Sequence, residues 1–223
     1  MMFSGSVPHM RELCQVYDNH LESVTITRTN ILNEIRVPPE TQKRNLIDEH
    51  VKNVWGVSYE EYLGGKLQHL PSQELCKLAE DIAGINLNGE LLIGTFVSGA
   101  PYLFTVTNSG RSSRADSFAV IGSGWHLAQA ALYNRNYGPW MPIQASVYAV
   151  YEAKKLSEID RNVGPDTTLV IMAPGKPTPV LTIINPQTMQ ELDREFAKHF
   201  SKKTMENIEV PDSAFKFPPG DVE

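Results

Sequence analysis

Only two cysteines, Cys14 and Cys76, occur in 223 residues, and they stand far apart. A disulfide-stapled scaffold is excluded as the organising principle. Both lie in apolar patterns with helical spacing, so buried, reduced thiols are the expectation, with a disulfide or a reactive thiol as the alternative. The six histidines are scattered, and no H-x-x-x-H or C-x-x-C spacing occurs, so no metal site is expected. Long basic runs are also missing and the formal net charge is −6, which speaks against nucleic acid or an anionic membrane surface as a partner. No apolar run approaches the ~18 residues needed to span a bilayer. The start, MMFSGSVPHMRELC, lacks the basic head and apolar centre of a secretory signal. A cytoplasmic, reducing setting is expected, with no cofactor.

Against these absences stands an ordinary globular composition, 41% apolar and 21% charged. A chain of this length buries roughly 70% of its unfolded surface and needs no staples. Its most specific stretch is Ser117 to Tyr137, SFAVIGSGWHLAQAALYNRNY. The apolar run Phe118-Ala119-Val120-Ile121 meets Gly122-Ser123-Gly124, and an alanine-rich segment with helical spacing follows. This pattern predicts strand, tight glycine turn and helix N-terminus, with backbone N–H groups and the Ser123 hydroxyl pointing out of the turn.

From the N-terminus, Met1 to Gly5 leaves no room for a full strand. Ser6, Val7 and Pro8 open a helix whose apolar face is Met10, Leu13, Cys14, Tyr17 and Leu21. Residues 28–66 read as an insertion with some helix, in which Val37-Pro38-Pro39 breaks any helical run. Pro71 and Ser72 begin a helix with Leu75, Leu78, Ala79 and Ile82 inward, closed by Gly84. A β-meander follows, with strands over 90–97 and 102–107 and a third entering the glycine motif at 117–121. Helices over 124–136 and 142–157 come next, the second with Ile143, Val147, Val150, Tyr151 and Leu156 inward. Strands over 167–172 and 179–184 precede a last helix capped by Asn185 and Pro186. Residues 201–223 form a Pro-rich acidic tail, expected to be extended. Strand runs and helix runs are segregated, so an α+β layered fold with antiparallel sheets is predicted rather than a doubly wound sheet.

The glycine turn does not complete a dinucleotide fingerprint, because Leu127 stands where the third small residue belongs. It lacks the Lys-Ser/Thr of a P-loop, and Ser123 has glycine on both sides, unlike a G-x-S-x-G elbow. His126 is a candidate general base on position alone, though a lone histidine is more often a surface or satisfied core residue. Asp160, directly after a helix, reads first as a turn former.

Taken together, the glycine turn with its helix, the helix PIQASVYAVYEAKKLSEID, Val163-Gly164-Pro165 and the strand TTLVIM resemble the C-terminal half of proteasome-type subunits. These belong to the N-terminal-nucleophile hydrolases. LLIGTFVSGAPYLFTVTNSG resembles the strands before that half, and FSGSVPHMRELCQVYDNHLE the family's fourth strand and first long helix. The resemblance covers roughly residues 3–27 and 71–172. It implies a four-layer αββα sandwich over 1–200, N-terminally truncated, carrying the insertion at 28–66. It also implies threonine-type peptidase chemistry on a peptide or amide substrate. Gly5 matches the glycine whose N–H stabilises the oxyanion. Ser123 matches the serine beside the nucleophile's amine, and Asp160 the aspartate hydrogen-bonded to that serine. Val163 stands where the family often has a second serine. No residue matches the nucleophilic threonine, the early acid or the lysine. The resemblance therefore implies a chain inactive alone, or alternatively a non-catalytic structural or assembly subunit, in a homo- or hetero-oligomer of proteasome-like subunits.

Overall fold

The computed structural model describes residues 1–175 and 179–199. The chain divides into two compact units, Met1–Thr182 and Ile183–Glu223. The proposed tail, 201–223, lies outside the described residues.

The larger unit is built on a four-stranded antiparallel sheet in the order β1 (Met2–Gly5), β2 (Gly89–Val97), β3 (Ala100–Val106), β4 (Ser112–Ala115). Ser98 and Gly99 join β2 to β3 with φ of 51° and 76°. Positive φ at both central residues is the geometry of a two-residue hairpin whose twist matches its strands. Alternation then sorts the side chains. Leu91, Ile93 and Val97 of β2 and Phe104 and Val106 of β3 are buried on one face, while Leu92 and Leu103 look the other way. The buried face is covered by α1 (Val7–Ser23), through Met10, Leu13 and Tyr17, and by the start of α2 (Ile31–Trp55), through Ile31 and Ile35. Farther along α2, Ile47 and Val51 make a second core with Val57, Leu67 and Leu78, closed by α3 (Tyr59–Leu63) and α4 (Ser72–Gly84). Ser58 and Glu61 form a reciprocal capping box at the start of α3. A third core lies between α5 (Trp125–Asn134) and α6 (Ile143–Ser157), where Ala128, Ala131, Ala149 and Ala153 let the helices approach closely. The strands β5 (Val170–Ala173) and β6 (Val180–Ile183) pair as a separate two-stranded sheet. In the second unit, α7 (Pro186–His199) starts with the Thr188 N–H donating to Asn185 Oδ1 at 2.8 Å, as its cap sequence predicts.

Four expectations need correction. The prolines at 38 and 39 do not break the helix, because α2 runs unbroken through both. Pro39 removes the N–H that would bond the Ile35 carbonyl. That carbonyl instead accepts the Tyr17 hydroxyl at 2.7 Å and the Ser112 hydroxyl at 3.4 Å. Both prolines are fully buried, so their rings add apolar packing. Residues 117–121 are not a strand: the third meander strand is the polar stretch Ser112–Ala115. Phe118 and Val120 are apolar because they pack on the α5–α6 core, not because they lie in a sheet. On α6 Ala149 and Ala153 face α5, and Tyr151 is buried as expected, whereas Ile143 and Val150 are exposed. Finally, Cys76 is exposed on α4 and Cys14 half-buried, and both are free thiols.

Burial raises the Tyr17 phenol well above its ordinary value, outweighing a hydrogen bond with Ser112 that lowers it. The folded state therefore holds this proton more tightly than the unfolded chain does. Its contribution is complete below about pH 10 and is lost as pH rises above that. Tyr17→Phe should cost about 1–3 kcal/mol in denaturant unfolding, because it leaves a buried carbonyl short of a partner. Most of that cost should disappear in a Pro39→Ala background, where the residue-39 N–H can serve Ile35. An unchanged cost there would mean that the hydroxyl does not stand in for the missing helical bond.

Candidate functional site

The sheet face bearing Leu92 and Leu103 looks into a cavity of about 680 Å³. Ala128 and Leu132 of α5 and Val150 and Ala153 of α6 line it, together with the segment 117–124. Most of the lining is apolar. Its hydroxyl-bearing residues are Ser4 at the end of β1, Ser117, Ser123 in the glycine turn, Tyr137 and Ser157 at the end of α6.

The glycine turn is held in place from the sheet. Gly122 has φ of 95°, and its N–H donates to Glu90 Oε2 at 3.3 Å. Glu90 pairs with Ser4 across the β1–β2 ladder, so one register position brings the acid and the Ser4 hydroxyl beside the turn. A Cβ at Gly122 would lie 3.2 Å from Ser4 Oγ. At Gly124 a Cβ would lie 2.8 Å from Ser157 Cβ and 2.9 Å from both the Ser157 carbonyl oxygen and a Val163 methyl. The start of α5 therefore touches the end of α6 through bare backbone.

The far side of the cavity is fastened by Lys154, which donates at 2.8 Å to both Glu158 Oε1 and the Gly164 carbonyl. Burial pushes the Glu158 carboxyl upward, but hydrogen bonds from Lys154 and Lys155 outweigh this and leave it below its ordinary range. Farther from the turn, Arg135 grips the buried Glu152 with Nε and Nη2 at 2.5 and 2.8 Å, tying the end of α5 to α6. This bidentate pair holds the Arg135 guanidinium even more firmly charged than usual.

Of the three residues singled out in the sequence, Ser123 lines the cavity and is exposed. Gly5 ends β1 opposite Gly89 with φ of 117°, and a Cβ there would come within 2.4 Å of the Asn88 carbonyl oxygen. Backbone packing thus requires glycine at this position whatever else its N–H does. Asp160 Oδ1 accepts the Asn162 N–H at 2.9 Å and the Asn162 side-chain amide at 3.1 Å, closing an Asx turn. Its carboxylate is turned to its own loop and makes no hydrogen bond to Ser123. His126 is exposed, with its ring against Trp125. Among the described residues, no group of three or more histidine, cysteine or acidic side chains is arranged to hold a metal ion. Glu90 and Ser4 were not read from the sequence as site residues. The one available signal was an acid at the head of the otherwise apolar run ELLIGTFV.

Chemically, the cavity offers apolar walls and two hydroxyls beside the glycine turn, Ser4 and Ser123. Neither makes a hydrogen bond to another described residue, so neither has a base in contact to take its proton.

An α+β fold with a four-stranded antiparallel sheet and packed helices is the class this architecture defines. It is the fold of Anbu structures. A mutant Anbu from Hyphomicrobium sp. strain MC1 superposes with a TM-score of 0.58 at 14% identity, over 95% of this chain and 79% of that one. Anbu from Yersinia bercovieri, described as an ancestral beta-subunit, gives 0.55 at 11% identity over 98% and 80%. A second structure from strain MC1 gives 0.55 at 13% over 95% and 80%. No protein-family model matches the chain, and no curated protein matches it. The identification as a proteasome-type subunit without its N-terminal catalytic strands therefore does not stand. The likeness is to Anbu, at 11–14% identity, and it is a likeness of fold. No helix among the described residues is long and apolar enough to cross a membrane.

Gly124→Ala should destabilise the chain by about 1–3 kcal/mol, as overpacking does, because two of the three close contacts belong to Ser157. Gly164→Ala, with nothing within 4 Å of its Cβ, should change stability by less than about 0.5 kcal/mol. Equal thermal shifts for the two variants would refute the close approach of α5 to α6.

Proposed function

We propose that this chain is an Anbu-like, proteasome-related protein of the N-terminal-nucleophile hydrolase lineage. In this reading it does not hydrolyse substrate alone and works as one subunit of a homo- or hetero-oligomer. The observation that carries the proposal is the cavity beside the glycine turn, where the Ser4 and Ser123 hydroxyls lie without a base. The apolar sheet face bearing Leu92 and Leu103 is then the surface on which a second sheet completes a four-layer αββα sandwich spanning 1–200, with 28–66 as its insertion. Ser123 is a supporting hydroxyl, Gly5 an oxyanion N–H and Asp160 a holder of the loop, each in service of a nucleophile that is not among these residues. The likeness to the Yersinia bercovieri protein, an ancestral beta-subunit, supports the assembly part of the reading. So does the apolar surface on and beside α5 and α6, where Trp125, Tyr133, Trp140 and Ile143 are all more than half exposed. The second reading, hydrolysis of a peptide or amide bond by the chain itself, keeps a specific attraction: the Ser123 hydroxyl is accessible inside an apolar cleft.

Two measurements on the purified chain decide. Fluorogenic peptide and acyl substrates should show no turnover above background, and a hydroxyl-directed covalent inhibitor should label nothing. Turnover abolished by that inhibitor would establish the hydrolase reading. Light scattering should give a mass above 24.9 kDa at micromolar concentration. A strict monomer would remove the assembly reading.

A further inference from the structure

Away from the cavity, on the opposite face of the sheet, α2 and the β3–β4 turn enclose a cleft of about 410 Å³. Three cations line it: Arg36 and Lys43 from α2 and Arg111 from the turn. Glu40 is its one acid. Arg36, Glu40 and Lys43 are spaced i, i+4, i+7, which puts all three on one helix face. Arg111 is brought there by the backbone. Its neighbour Ser112 donates from its hydroxyl to the Ile35 carbonyl, next to Arg36. The hydrogen bond that joins β4 to α2 therefore also gathers two guanidinium groups at one cleft. Lys43 Nζ reaches the Ser109 carbonyl at 3.3 Å from the other side.

The charges in this cleft are not paired. Arg36 and Arg111 make no side-chain hydrogen bond or ion pair with a described residue, and Glu40 forms no salt bridge with any of the three cations. A smaller cleft farther along the same helix behaves differently. There Arg44 pairs with Glu60 at 2.9 Å and Lys52 with Asp48 at 2.6 Å. Like charges held at one place repel unless an anion lies between them. Guanidinium forks present paired N–H donors at the spacing of phosphate oxygens.

We propose that this cleft binds a small phosphate-bearing anion, held by Arg36 and Arg111 with Lys43 as a third charge. The proposal is independent of the function assigned to the cavity. Glu40 opposes the ligand and sets an upper limit on its affinity.

The test is isothermal titration of the full chain with inorganic phosphate and, separately, with glycerol phosphate, at low ionic strength. One saturable site is expected for at least one of them, weakening as salt is added. Arg36→Gln and Arg111→Gln should each weaken binding about tenfold or more, the size of a lost charged hydrogen bond. Both side chains are exposed, so these variants should keep the fold. Glu40→Gln should tighten binding severalfold. Lys66→Gln, which alters a cation paired with Glu61 outside the cleft, should leave it unchanged. Equal affinity for the two probes identifies the free ion as the ligand, and tighter glycerol phosphate identifies an ester. No saturable site for either probe overturns the proposal. So does binding that survives in the Arg36→Gln/Arg111→Gln double variant, or binding that Glu40→Gln weakens.

Discussion

The carbonyl of Ile35 is the point on which three elements meet. Pro39 takes away the helical N–H that should bond it, so the oxygen is free to accept from outside the helix. Tyr17 of α1 and Ser112 of β4 both donate to it. A phenol with no exposed surface and a carbonyl on a residue 2% exposed satisfy each other inside the first core. The bond costs little, because each partner would otherwise be buried unpaired. It ties α2 to both α1 and β4. The second half of α2 then carries Ile47 and Val51 to the α3–α4 core. A proline pair that weakens an isolated helix thus becomes the joint between two cores.

This joint also explains which parts of the chain were legible in the sequence. The strands near 90–97 and 102–107 follow from apolar alternation and a turn with two left-handed residues, both local signals. The helices α1, α4, α5 and α6 follow from spacing and from proline and glycine at their ends. The path through Pro38 and Pro39 was not legible. Its compensation comes from Tyr17 and Ser112, 18 and 77 residues from Ile35, and no window on α2 contains either. On α6 the expected inward residues Tyr151 and Leu156 are buried or packed on the core, whereas Ile143 and Val150 are exposed, because size and apolarity alone do not decide this face. Ala149 and Ala153 pack against the alanines of α5, and close helix approach favours the smallest side chains over the most hydrophobic. The polar strand Ser112–Ala115 carries no apolar alternation, since two of its four residues face solvent.

The glycine turn shows the same division between local and distant causes. Its existence was legible from Gly122-Ser123-Gly124. Its support was not, because that comes from Glu90, 32 residues earlier. A half-buried N–H beside an apolar cavity favours an acceptor, and a carboxylate at the head of β2 supplies one. The Gly122 N–H is thereby committed to the scaffold.

That commitment bears directly on what the cavity can do. Among the described residues, Glu90, Lys154 and Asp160 beside the cavity spend their hydrogen bonds on neighbouring loops and one ion pair. Glu90 holds Gly122, Lys154 holds Gly164 and Glu158, and Asp160 holds Asn162. Acid–base catalysis needs a group within hydrogen-bond reach of the proton it moves, and these groups are turned to the loops instead. These polar residues hold the loops that shape the cavity, and its walls are mostly apolar. Around this cavity the charges hold loops still, and the surface it presents is that of Leu92, Leu103 and the helix faces opposite them.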